Sequence, residues 1–551
     1  MQRKLLSLLV LLMTAATGAW AQDPSWISGD CTVTLSGGTL TISKASGSGA
    51  MADYLYSPDL PWYAYQSDIT SVVVNTGVTH IGSQSFNCFT NTTSVTLPEG
   101  LLTIGDNAFR ECSGLGSITI PASVTSIAHH AFINCTNLTT VTFPADSHLT
   151  TIGNSAFYEC RSLGSIAIPN GVTSIGDFTF WNCLELSSVS IPASVTSIGL
   201  KAFYDCSKLS SVSIPASVTT IGNSAFDGCT KLATVTFSED SHLTTIGNWA
   251  FGHTALSSIT IPASVTSIGE SAFYYCQNAG FTEITIPANV TTIGRYAFYA
   301  CDKLTTVTFS AGSHLTSIGE NTFYRCSELA TVTFNSNPSI GTSAFDDIKD
   351  GATVTMNLTA NAAGGAKWTT FYNQNYSFAA DENTEVFKVA LSGTELTLNK
   401  VANGIVDANT PVVLKTTGDN PVMTKTTTAS SDEQVNNLTG VSDAAGVENN
   451  GTFYVLNSGS QGVGFYKLKS GKTVGVGKAY LTYTAGAREF FGFDETTGLK
   501  AIDNGLLGTQ GRLPEQELTT DNVVYDLQGR RVSQPTKGLY IVNGKKVFIN
   551  K

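Results

Sequence analysis

Apolar residues recur through the middle of this chain in two registers at once. Runs such as Leu209-Ser-Ser-Val212-Ser-Ile214-Pro215 alternate apolar and polar at period two and stop at a proline. Proline cannot donate to a ladder, so each run predicts a short strand closed by a turn. A second extended piece, V-T-x-I-G, breaks at its glycine, and the following x-x-A-F-x-x-C predicts one helical or 3₁₀ turn that drives a phenylalanine inward. The phrase returns twelve times, with its isoleucine at 81, 104, 127, 152, 175, 198, 221, 246, 268, 293, 318 and 340, a period of 22 to 25 residues. A period that short predicts a mainly β solenoid in which no unit buries its own apolar face and stacked units share one core. Long repetitive surfaces bind more often than they catalyse.

Taken one at a time, the columns of the phrase predict different roles. Phenylalanines from Phe86, Phe109 and Phe132 through Phe323 and Phe345 form a continuous spine. Nine of the eleven cysteines (Cys112, Cys135, Cys160, Cys183, Cys206, Cys229, Cys276, Cys301 and Cys326) share one column, which takes Phe89 in the first rung and Ile348 in the last. Rungs about 4.8 Å apart bring neighbouring cysteines within disulfide reach. Closing such a loop is worth about 3.4 kcal/mol in the chain-entropy model. Side chains at one position of successive rungs point in parallel, however, and the apolar replacements suit a buried thiol used as a small hydrophobe. The expectation is a reduced structural ladder.

The strand's outward positions are nearly uniform Ser or Thr, as in Thr140 and Thr142, Ser211 and Ser213, Thr306 and Thr308, with Glu283 the one charge in that column. They would form the concave face, either a plain solvated sheet or a polar docking surface for glycans or an extended peptide. The position after each spine phenylalanine varies more. It carries Tyr158, Trp181 and Tyr204 on three successive rungs and Tyr274, Tyr299 and Tyr324 on three others, with Phe178, Trp249, Tyr275 and Tyr296 nearby. Tyr and Trp combine apolar area with a polar tip and are favoured at interfaces. Two stripes interrupted by Asp227 and Gly252 are therefore the candidate binding residues; the alternative is that these rings only seal the edge of the core.

Outside the repeats, residues 1–21 have the basic, apolar and small-residue parts of a signal peptide. Residues 22–68 carry alternating Thr and Val/Leu/Ile and predict a β cap, and 69–350 form the solenoid. In 351–504, short β-type runs separated by Gly, Asn and Asp predict a sandwich-like or barrel-like module. Residues 505–522 read as a polar linker, and 523–551 as two or three antiparallel strands with Asn543-Gly544 as a hairpin turn.

Charged residues are only 13% and the net charge is −12, which leaves no basic footprint for nucleic acid. No metal site is expected, because no Cys/His cluster has ligand spacing, and no cofactor is expected. The histidines do not assemble a catalytic set. His148, His242 and His314 repeat one inserted phrase, Ser-His-Leu-Thr, on distant rungs, and His129, His130 and His253 are single-rung deviations.

The repeated I-G-x-x-A-F-x-x-C and x-I-P-x-x-V-T resemble the BspA-type leucine-rich repeat family, over about half the chain. The resemblance implies an exported or surface-bound, non-enzymatic protein of a host-associated bacterium, often an adhesin for host matrix proteins or other cells. The segment with Tyr525-Asp-Leu-Gln-Gly-Arg-Arg and Gly538-Leu-Tyr-Ile-Val is similar to the C-terminal sorting domains of Bacteroidetes, which implies transport across the outer membrane. A glycan-binding or nutrient-capture protein and a structural spacer remain alternatives.

Overall fold

Each rung of the repeat contributes to three kinds of inter-rung ladder. The computed structural model describes residues 23–492 apart from short segments between 364 and 489, together with 524–525, 538–542 and 545–549. The segment 1–21, the linker 505–522 and the turn Asn543-Gly544 lie outside the described residues. The chain divides into two compact units, one comprising residues up to 310 with 319–331 and 343–352, the other 311–318, 332–342 and the residues from 353 onward.

The first ladder is a parallel sheet of the x-V-x-I segments, with Ser117–Thr119 paired in register to Thr140–Thr142, and Ser165–Ala167 to Ser188–Ser190. Side chains alternate across a strand. Val141, Val212 and Val235 therefore point into the core and are buried, while Thr140, Ser211 and Thr234 are exposed. The second ladder pairs two-residue strands, such as Thr103–Ile104 with Ser126–Ile127 and Ser197–Ile198 with Thr220–Ile221. Close approach of successive rungs explains the glycine after every one of these isoleucines but Ile127, which Ala128 follows. A Cβ at Gly247 would lie 2.6 Å from the backbone carbon of Gly222, nearer than packed atoms allow.

The third ladder corrects the sequence reading: x-x-A-F-x-x-C is not a helical or 3₁₀ turn. It is a chain of β-turns, with Ala108 N donating to Gly105 O, Arg110 N to Asn107 O and Cys112 N to Phe109 O. The residues between reach the next rung instead, as Phe109 N donates to Ala131 O and Glu111 N to Ile133 O. A helix would spend every amide within its own turn and leave the neighbouring rung's carbonyls unpaired. Alternating local and inter-rung bonds require two residues per rung at positive φ, such as Asn107 (54°) and Glu111 (57°). The spine phenylalanines are driven inward by these turns and stack with centroids 5.1 to 5.6 Å apart from Phe86 through Phe345.

Ahead of the first rung, Ser25–Ser28, Cys31–Ser36 and Thr39–Lys44 form an antiparallel meander whose last strand pairs parallel with Ser71–Val74. Trp62 is fully buried there, its Nε1 donating to Ser85 O at 2.9 Å.

In the second unit the strands from Thr353 onward are antiparallel. Ala366–Phe371, Val412–Thr416, Thr384–Ser392 and Glu395–Lys400 lie in one five-stranded sheet, and Leu438–Gly440, Ala479–Thr482, Phe453–Gly459 and Gly462–Lys467 in another. Val389, Leu396 and Val413 from the first meet Leu438, Tyr454, Phe465 and Leu481 from the second in one buried cluster. Two sheets packed face to face make a sandwich. Val524–Tyr525, Gly538–Val542 and Lys545–Ile549 form an antiparallel three-stranded sheet.

Candidate functional site

The turn that sends each spine phenylalanine into the core leaves the next side chain half-buried at the outer edge, and stacking rungs bring these side chains together. Tyr158 and Trp181 have ring centroids 4.1 Å apart, and Trp181 and Tyr204 6.0 Å. Phe178 meets Trp181 edge-on at 6.4 Å, and the Lys201 ammonium sits 4.8 Å over the Tyr204 ring. The second stripe is more evenly spaced. Tyr274 and Tyr299 stack at 4.8 Å and Tyr299 and Tyr324 at 5.6 Å, with Trp249 4.7 Å from Tyr274 and the Arg325 guanidinium 5.8 Å over Tyr324. Burial raises the phenol pKa of Tyr158, Tyr204 and Tyr274, and a hydrogen bond to Asp347 raises that of Tyr324. The Trp181 indole N–H has no hydrogen-bond partner among the described residues.

Between the stripes the structure assembles a group that spacing alone did not show. His253 Nδ1 lies 2.9 Å from Asp227 Oδ1, and the imidazole stacks on Trp249 at 5.9 Å and meets Tyr274 at 5.5 Å. Asp205 lies on the adjoining rung, where burial first and the Asp227 charge second raise its carboxyl above the usual carboxylate range. The sequence marked His253 only as a rung deviation; its signal was that it stands two residues after a spine phenylalanine in the rung where Gly252 interrupts the aromatic column.

The nine column cysteines are buried and unbridged. Each Sγ donates to the carbonyl of the spine phenylalanine one rung back, as Cys135 to Phe109 O at 3.1 Å, Cys206 to Phe180 O at 3.1 Å and Cys301 to Phe273 O at 3.1 Å. Burial pushes the Cys135 thiol up to about 12 and raises those of Cys160 and Cys206 as well. In the rung that lacks the cysteine, Thr254 Oγ1 donates instead to the carbonyl of its own rung's Phe251 at 2.8 Å, which Cys276 Sγ also reaches from the next rung at 3.3 Å. A thiol or hydroxyl donor at this position satisfies a buried carbonyl, which explains its repetition without any chemistry.

Positive φ recurs on every rung of the turn face, at residues as different as Glu111, Ser155, Lys201 and Arg325. Both positive-φ columns carry residues that tolerate the left-handed region, such as Asn107, Asn134, Asn182, Asp205 and Asn321. Yet Phe178 (57°), Trp249 (58°), Tyr275 (59°) and Tyr296 (58°) occupy the same columns. Bulky residues there are outliers that cost about 1–3 kcal/mol each.

The family model described as "BspA type Leucine rich repeat region (6 copies)" matches residues 62–163, 150–280 and 277–375. Among curated proteins no sequence matches this chain. Similar solved structures include a leucine-rich repeat protein from Bacteroides ovatus ATCC 8483, at 25% identity over 58% of this chain and 92% of that one, with a TM-score of 0.43. Another is a leucine-rich repeat protein from Eubacterium ventriosum ATCC 27560, at 23% identity over 60% and 95%, TM-score 0.35. A third is a leucine rich cell surface protein from Faecalibacterium prausnitzii A2-165, at 24% identity over 57% and 95%, TM-score 0.28. The matched segments run together from residue 62 to 375, more than half of the chain, and the chain belongs to the BspA-type leucine-rich repeat family.

Proposed function

We propose that this chain is an exported, non-enzymatic surface protein that adheres to a protein of host matrix or of another cell, with the two aromatic stripes as its anchors. Residues 1–21 serve export in this reading, and the 523–551 segment serves sorting. The observation that carries it is the set of aromatic residues held at positive φ, Phe178, Trp249, Tyr275 and Tyr296, beside the half-buried rings of Tyr158, Trp181, Tyr204, Tyr274, Tyr299 and Tyr324. The fold itself would be better served there by Asn or Gly. Half-buried Tyr and Trp beside a cation also supply the rigid, amphipathic area from which interface hot spots are built.

The test is binding to immobilised extracellular-matrix proteins and to host cells. In a protein with alanine at 158, 181 and 204, affinity should fall by at least about thirtyfold, the loss of one hot spot of about 2 kcal/mol. A triple variant that unfolds at the wild-type temperature and binds unchanged removes that stripe from the account. The corresponding variant at 274, 299 and 324 then decides whether the second stripe acts alone.

A further inference from the structure

The sheet face of the solenoid breaks after Ser94–Thr96, after Ser188–Ser190 and after Thr234–Phe237, and the repeat explains the last of these. Leu256 follows Phe251 by five residues where Leu163 follows Phe157 by six, and Ile284 follows Cys276 by eight where Ile166 follows Cys160 by six. One rung is therefore a residue short and the next two residues long, while the phenylalanine stack continues across them, with Phe251 and Phe273 centroids 5.6 Å apart. The misfit is confined to the sheet. Ser258 keeps a single bridge to Thr234, and strand Glu283–Ile286 pairs with Thr306–Phe309 on one side and, among the described residues, with no strand on the other.

The two rungs touch above and below the gap. A Cβ at Gly280 would stand 3.1 Å from the Ser257 Cβ, and on the far side Asn289 Nδ2 donates to Ala263 O at 2.8 Å and Thr291 N to Thr266 O at 2.8 Å. Between these contacts lies a slot of about 360 Å³, its polar walls formed by Ser258, Thr260, Glu283, Thr285 and Ser310. That volume falls within the range of about 300–1,000 Å³ for small-ligand sites.

Register tells which backbone groups face the slot. In an intact pair, Ile120 N donates forward to Thr142 O, and Ile214 O accepts from Ser238 N of the following rung. The isoleucine column thus points its amides and carbonyls forward, and the residue before it points them back. By the same register Ile259 and Ile261 present N–H and C=O groups from one wall, and Glu283 and Thr285 from the other. These are open strand edges, which act as templates for another chain. Glu283 is exposed and makes no ion pair among the described residues. No aromatic ring lines the slot for a sugar to stack on.

We propose that this slot binds an extended peptide by strand addition to the free edge of Glu283–Ile286, with a lysine or arginine of the peptide set against Glu283. Main-chain bonds to Glu283 and Thr285 supply affinity, and the lone carboxylate supplies register and preference for a basic residue. The site stands apart from the aromatic anchors and does not depend on them.

The probe is a library of peptides about eight residues long, of alternating Thr and Val with Lys, Arg, Glu or Gln at one position, titrated into the full chain. Basic members should bind about tenfold more tightly than acidic ones, and Glu283→Gln should erase that preference without abolishing binding. Methylating alternate peptide nitrogens should abolish it. Thr285→Pro removes an amide that has no partner among the described residues and sits where an edge tolerates proline; this variant should fold and fail to bind. Hydrogen exchange on the wild-type protein gives a readout independent of any variant, with the amides of 283 and 285 exchanging rapidly alone and slowing when peptide is added. The proposal is overturned if no member binds, if N-methylated peptides bind equally well, or if neutral oligosaccharides displace the peptides.

Discussion

The sheet face and the turn face of the same rungs are built under different rules. Along the sheet face the outward column stays Ser or Thr with few exceptions, and its hydroxyls meet one another, as Ser213 and Thr236 do at 3.0 Å. An extended backbone accepts such residues without strain. On the turn face every full rung forces two residues to positive φ, and the chain fills those positions with varied, mostly polar residues such as Asn107, Ser155 and Lys201, and at four places with the bulky rings of Phe178, Trp249, Tyr275 and Tyr296. One face follows the backbone's own preference, and the other departs from it where rings gather. A departure from local preference that the packing does not need is expected at functional sites.

The sharpest way to break the comparison is to strike the core that both faces share. Phe203 is fully buried in the spine between Phe180 and Phe226. Phe203→Ala should cost about 3–5 kcal/mol, whereas Thr236→Ala on the sheet face should stay within about 0.5 kcal/mol. Urea unfolding followed by near-ultraviolet circular dichroism measures both. Similar losses at the two sites would mean that the hydroxyl ladder, and not the spine, holds the rungs together.

A smaller effect sharpens the contrast on the turn face itself. Phe178 sits at φ 57° and has, among the described residues, one ring partner, Trp181, at 6.4 Å. Releasing the left-handed strain is worth about 1–2 kcal/mol, and losing one ring pair costs about 0.5–1.5 kcal/mol. Phe178→Asn should therefore leave stability unchanged or raise it by up to about 1 kcal/mol while weakening adhesion. A clear loss of stability would show that the ring seals the core and that its presence needs no ligand to explain it.

The columns that could be read from the chain are those fixed by burial. Phe and Cys recur because one pocket repeats, and Val and Ile recur because a strand has period two; both constraints act on residue type directly. The positive-φ columns were not legible in the same way. Asn107, Ser155, Lys201, Trp249 and Tyr275 share a backbone state but no side-chain property, so the turn was misread as helical. The aromatic stripes were legible as a pattern because rung spacing brings like positions together. Joining His253 to Asp227 needed the turn geometry that sets the exposed imidazole against a buried carboxylate one rung back. The slot was written in the sequence as a lost residue before Leu256 and two extra before Phe281, yet which sheet opens depends on pairing that no single rung encodes. In the sandwich after residue 353 no period links one strand to its partner, and only the short β runs themselves could be read.

The smallest effect tests what separates the two stripes. Asp205 adjoins Tyr204, and Gly228 lies so close beyond it that a Cβ there would collide with the Asp205 carboxylate. Burial and the neighbouring Asp227 charge raise the Asp205 carboxyl above its ordinary value of 3.8. A raised folded-state pKa means that the native protein holds this proton more tightly than the unfolded chain does. Stability from this group is therefore complete below about pH 3.8 and is lost as pH rises through the folded-state value. Asp205→Asn removes that loss, so its melting temperature should match wild type in acid and exceed it at neutral pH. The gain should be under about 1 kcal/mol, since solvent screens a partly exposed group. Melting curves that run parallel across the whole range would mean that Asp205 feels neither burial nor Asp227, and the gap would then be a neutral spacer. A divergence confined to the higher pH would make it a like-charge barrier, and a ligand reaching from Tyr204 to Trp249 would gain by bringing a cation to it.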